Sequence, residues 1–143
     1  RSMTGAGLRR PGRKHVAERR LLVLTFDLET RGAASQPMQN PVNVSRDDLK
    51  HGIATGAILL VDVREPHEFA AGHIPGARLM PLSAFDPDSL RDIEGRIVFS
   101  CAAGVRSTHA LRMAQDAGLA LNEHYAGGFR DWMMSGEAVE TGL

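Results

Sequence analysis

Two stretches of the chain, "AILLVDV" (57–63) and "RIVFSC" (96–101), are apolar almost throughout and rich in β-branched side chains. Such runs mark strands covered on both faces, and "VNV" (42–44) is a shorter candidate of the same kind. Between and after them the pattern turns helical. Ser45 stands at an N-cap position with Asp47 and Asp48 in the first turn, where carboxylates suit the helix dipole. That helix is expected to run to about Ile53 and to stop at "ATG". In "REPHEFAAG" (64–72), Glu65 helps to start a helix, Pro66 fits its first position and Gly72 ends it. "HIPGARLMP" reads as extended, with a turn at Pro75-Gly76 and a short strand at Ala77 to Met80, and "SAFDPDSLRDIEG" reads as broken helix. "STHALRMAQDAG" (107–118) sets Ala110, Leu111, Ala114 and Ala117 at helical spacing, with Gly118 as the stop. "LNEHYAGGF" gives a last strand and a glycine turn, and "FRDWMMSG" a final short helix. Strands alternating with helices predict an α/β fold with a parallel central sheet. In such sheets the site lies at the carboxyl ends of the strands.

The 143 residues make one domain's worth of chain, enough for a core without staples. "GAASQPMQNP" (32–41) has a linker's composition, which divides the chain into a basic arm with linker at 1–40 and a domain at 41–143. The formal net charge of zero hides an asymmetry. Seven basic residues (Arg1, Arg9, Arg10, Arg13, Lys14, Arg19, Arg20) face Glu18 within 1–20, a balance of +6, so the rest of the chain carries −6. The arm lacks the interleaved aromatics of a single-strand binder and reads as an appended or weakly ordered tail, so no nucleic-acid partner is expected. In "RRLLVLTFD" the apolar run stops at Asp27, too short for an export signal core. No run approaches the roughly 20 apolar residues of a membrane helix, so no membrane partner is expected. The single cysteine excludes an internal disulfide and any multi-cysteine zinc site. An unpaired thiol suits a reducing compartment, most simply the cytoplasm.

That cysteine ends the second buried run. A strand that stops at Cys101, turns through Ala102, Ala103, Gly104, Val105 and Arg106, and enters a helix at Ser107 surrounds a sulfur with particular groups. Successive loop N–H groups form an anion-binding nest, and the helix adds free N–H groups and the positive end of its dipole. Arg106 adds a permanent charge with a planar fork. Together these favour thiolate over thiol. Gly104 permits the bend, and the small residues at 102 and 103 are expected to leave the sulfur open. An inert buried cysteine is the alternative; the glycine, the arginine and the strand–loop–helix context favour a nucleophile.

Here the sequence resembles a known family. "CAAGVRS" looks like the active-site loop of rhodanese-type sulfurtransferases, "FAAGHIPGA" (69–77) like the family's first signature and "YAGGFRDW" (125–132) like its second. "DVRE" (62–65) resembles the family's usual strand ending. Asp131 stands where the second signature more often has Glu, and Asn122 where a small apolar residue is favoured. The resemblance covers about residues 42–140. It implies a central five-stranded parallel sheet flanked by helices, with Cys101 carrying the transferred sulfur as a persulfide. The implied partners are a small donor, thiosulfate or a persulfide, and a thiol or cyanide acceptor; a protein donor or acceptor also fits. No metal and no organic cofactor is implied. Cys101 to Arg106 is C-x4-R, one residue shorter than the loop of phosphatases and arsenate reductases of the same fold, which makes those activities distant alternatives. Arg106 is the loop's only charge, so a sulfur-relay or regulatory protein-binding module is the nearer alternative.

Asp62 and Arg64 are expected to pair and fix the exit of their strand, with support of the substrate as the other role. His73 reads as part of a turn rather than as a base, and His67 and His73 are not spaced as a helical metal pair. His109 is expected to be neutral and exposed. Trp132, with Met133 and Met134, is expected to form a lid on the sheet edge.

Overall fold

The computed structural model describes residues 39–143; the arm expected at 1–40 lies almost wholly outside them. Five strands form one sheet: β1 (Val42–Asn43), β2 (Ile58–Asp62), β3 (Arg78–Leu79), β4 (Arg96–Ser100) and β5 (Glu123–His124). Their spatial order is β1-β5-β4-β2-β3, and every pairing is parallel. Three helices connect strands, α1 (Arg46–Thr55), α2 (Pro66–Ala71) and α3 (Val105–Asp116), and a fourth, α4 (Gly128–Met134), follows β5. The broken helix expected before β4 takes the form of two short 3-10 turns, Leu82–Ala84 and Pro87–Leu90.

The two apolar runs are the paired central strands, in register from Ile58 with Arg96 to Asp62 with Ser100. Alternate residues serve opposite faces, which is why the runs are apolar throughout. Ile58, Leu60 and Val98 pack with Leu49 of α1 and Trp132 of α4. Val61, Ile97 and Phe99 pack with Ala110, Leu111 and Ala114 of α3 and with Phe85 and Leu90. The capping signals operate as read. Ser45 Oγ accepts the Asp48 N–H at 3.1 Å, and α1 runs to Thr55, two residues beyond Ile53, where Gly56 of the expected "ATG" stop closes it with a φ of 80°.

Two expectations are corrected. The helix expected from Ser107 begins at Val105, because Gly104 takes the cap position with a φ of 98°; Arg106 and Ser107 therefore lie in its first turn. The lid does not form either. Trp132 is buried on the face of the central strands, edge-on to Tyr125 at 6.3 Å, and donates its indole N–H to the Ala138 carbonyl. Met133 and Met134 are 53% and 78% exposed.

The chain leaves β2 toward β3 and leaves β4 toward β5, on opposite sides of the pair. Their carboxyl ends thus flank a topological switch point, where open α/β sheets place their ligands. Asp62 and Arg64 follow one strand and Cys101 the other.

Candidate active site

Gly104 donates its N–H to Cys101 Sγ at 3.0 Å, and the Ser107 hydroxyl lies 3.7 Å from the same sulfur. Burial pushes the thiol up, but the N–H groups of Ser107, Gly104 and Ala103, with the Ser107 hydroxyl, outweigh it and hold the group below its ordinary value. The loop therefore favours the thiolate by hydrogen bonding at the head of a twelve-residue helix.

The openness expected at the sulfur is corrected: Cys101 is 1% exposed. Ala102 and Ala103 are small, but the ring folds inward around the sulfur, and a neighbouring turn packs on its outside. Phe129 and Arg130 donate N–H bonds to the carbonyls of Cys101 and Ala102, at 2.8 and 3.0 Å. Gly128, with a φ of 63°, makes that approach possible; a Cβ there would lie 2.5 Å from both carbonyl oxygens. Val105 turns its side chain outward at 70% exposure, so its part in the ring belongs to its backbone.

Arg106 reaches across the switch point to Glu68 of α2. The contact is bidentate, Nη1 to Oε1 at 2.7 Å and Nη2 to Oε2 at 3.0 Å. Hydrogen bonding from Arg106 holds the Glu68 carboxyl down at about 2, against burial and with help from the Glu65 N–H. The charge that the loop was expected to offer an anionic donor already has a carboxylate partner.

Asp62 and Arg64 form a buried pair, Nη2 to Oδ2 at 2.9 Å and Nε to Oδ1 at 3.1 Å. Arg64 also donates to the Gly72 carbonyl at 2.7 Å and lies 4.4 Å over the Phe129 ring. These contacts tie α2 and the start of α4 to the end of β2. His73 stacks on Phe69 with ring centroids 3.7 Å apart, and its Nδ1 lies 2.8 Å from the Phe69 carbonyl oxygen, a packing arrangement consistent with its turn. His109 is exposed. Among the described residues no cluster of His, Cys, Asp and Glu could hold a metal ion.

Two neighbours of the loop escaped the sequence reading. Glu68 reads as the acid in the first turn of a helix, and nothing in the chain announces a partner 38 positions away. His124 lies on β5 with Nδ1 2.8 Å from Ser107 Oγ; its inward direction follows only from strand alternation once Tyr125 is known to face the other core. Asp131, the departure from the family's usual Glu, accepts hydrogen bonds from the Tyr125 hydroxyl and, at 2.9 Å, from Arg46, and so ties α4 to α1.

A parallel α/β sheet with a cysteine loop at its switch point defines the class of protein. Residues 45–135 match the rhodanese-like domain model, and the chain belongs to that family. It is 31% identical over 111 residues to the human thiosulfate:glutathione sulfurtransferase, covering 67% of this chain and 96% of that protein. It is 36% identical over 99 residues to the uncharacterized protein slr1261 of Synechocystis, covering 68% of this chain but only 55% of that one. The crystal structure of the human single-domain sulfurtransferase TSTD1 superposes with a TM-score of 0.56 at 32% identity, covering 67% and 97% of the two chains. The protein is therefore a rhodanese-like domain with sulfurtransferases among its relatives.

Proposed function

We propose that the protein transfers sulfane sulfur through a persulfide on Cys101. The observation that carries this reading is the sulfur held by the Gly104 N–H inside a ring that caps α3. The Cys101 thiolate attacks the outer sulfur of thiosulfate, its S–S bond breaks and sulfite leaves with the bonding pair. The loop N–H groups that favour the thiolate then face the persulfide's terminal anion. An acceptor thiolate or cyanide attacks that terminal sulfur, takes it as a persulfide or as thiocyanate, and restores the Cys101 thiolate. A reducing compartment such as the cytoplasm keeps the unpaired thiol available.

Glu68 favours a second reading, in which the domain relays sulfur from a protein persulfide and turns thiosulfate over poorly. With Arg106 held by a carboxylate at 2.7 Å, the ring offers a dianion mostly backbone N–H groups. Intact mass separates the two readings. The protein incubated with thiosulfate should gain one sulfur, lose it to cyanide as thiocyanate is released, and show no gain as Cys101→Ser. No gain with thiosulfate, but a gain with a protein persulfide, selects the relay. No gain with either donor overturns both.

A further inference from the structure

Ser107 is fully buried, and its hydroxyl faces three groups. His124 Nδ1 lies at 2.8 Å, the Gly104 carbonyl at 3.1 Å and Cys101 Sγ at 3.7 Å. A hydroxyl has one proton to give, so the three compete for it. The Gly104 carbonyl, which also accepts the Thr108 hydroxyl at 2.9 Å, is the same acceptor in every protonation state. The sulfur and the imidazole, which each gain or lose a proton, are therefore the rivals that decide where the serine proton points. A bare Nδ1 takes the serine proton and leaves the oxygen's lone pairs toward the sulfur, an arrangement that suits a thiol. An Nδ1 that carries a proton donates to the oxygen and frees the serine O–H for the sulfur, which suits a thiolate. We propose that His124, acting through the Ser107 hydroxyl, is a positioning residue that takes up the Cys101 thiol proton and turns the Ser107 O–H toward the thiolate.

The proton balance is complete. The Cys101 S–H bond breaks as an O–H bond forms on Ser107, and the original Ser107 proton moves to His124 Nδ1. The imidazolium so formed loses its Nε2 proton to water, which leaves a neutral ring protonated at Nδ1. Burial holds the His124 imidazole below its ordinary value, so the ring is neutral and able to accept at neutral pH. Other charges around it are engaged elsewhere. On its own strand Glu123 pairs with Arg96 at 2.8 Å, and Arg96 is the charged residue of β4. β1 carries only Val42 and Asn43. On α3, Arg106 is held by Glu68, while His109, Arg112 and Asp116 lie on the exposed side.

This inference rests on Cys101 acting as a thiolate but not on what it transfers, so its test reads the thiol directly. As the chain has one cysteine, the rate of iodoacetamide alkylation against pH gives its titration without ambiguity. His124→Leu should raise the apparent thiol midpoint by about one pH unit, the loss of one charge-assisted hydrogen bond. Ser107→Ala should raise it by a similar amount, and the double variant little further. Asn sets a donor nitrogen near the Nδ1 position while Gln sets its own farther out, so His124→Asn should stay within about half a unit of the parent and His124→Gln should not. A His124→Leu midpoint equal to the parent's, or shifts that add in the double variant, would overturn the proposal. If His124→Leu does not fold, equal midpoints for the Asn and Gln variants overturn it instead. A titration that behaves as expected in a protein that gains no sulfur keeps this inference and removes only the transfer reading.

Discussion

At the scale of single residues, the charge next to Cys101 is set by a side chain outside the loop. Glu68 engages both terminal nitrogens of Arg106, and bidentate pairing of this kind is the strong form of a charge-assisted contact. It keeps the guanidinium in place and spends its charge at the same time. Replacing Glu68 by Gln retains an acceptor oxygen for the Glu65 N–H but releases most of the electrostatic hold on Arg106. The expected outcome is a KM for thiosulfate lowered by roughly fivefold, the equivalent of about 1 kcal/mol for a part-exposed charge. An organic thiosulfonate, which carries one negative charge instead of two, should gain less. Steady-state kinetics with both donors test this. An equal change for the two would mean that Glu68 acts on the loop's shape rather than on its charge.

At the scale of elements, the cysteine ring is closed from outside by the turn that starts α4. Gly128→Ala would set a methyl group 2.5 Å from the carbonyl oxygens of Cys101 and Ala102 at a φ of 63°, where backbone strain alone costs about 1–3 kcal/mol. The variant should unfold at lower urea and, because the ring must open to relieve the clash and loosens its N–H bonds to the sulfur, should shift the pH dependence of alkylation to higher pH. A lowered midpoint with unchanged alkylation would place the clash in α4 alone. This dependence explains which parts of the molecule were legible in the sequence. The central strands, Ser45 as a cap, Pro66 at a helix start and the glycine that ends α1 were readable because local periodicity and local hydrogen bonds determine them. The cysteine at a strand end before a glycine and a helix was readable for the same reason. The burial of that cysteine, the seat of Trp132 under Tyr125, and the partners Glu68 and His124 were not. Each depends on contacts between segments far apart in the chain, which period and propensity do not encode.

At the scale of the whole molecule, the contact between Arg106 and Glu68 joins the connections that leave β4 and β2 in opposite directions. It spans the switch point beside the buried pair of Asp62 and Arg64. Stability should depend on acid accordingly. The Glu68 carboxyl falls from a usual value near 4.5 to about 2 in the folded protein. A depressed carboxylate stabilises the fold fully above its unfolded value, and that contribution is lost as pH falls through the folded one. Urea midpoints of the parent and of Glu68→Gln should therefore differ by a constant amount from pH 7 to about 5. The difference should then shrink steadily as the solution is acidified toward pH 2. Other groups, such as Asp131 held down by Tyr125 and Arg46, titrate in both proteins and cancel in the comparison. A difference that persists undiminished at pH 2.5 would show that the ion pair contributes nothing to holding the two connections together, and that the buried Asp62–Arg64 pair and the apolar core carry that load alone.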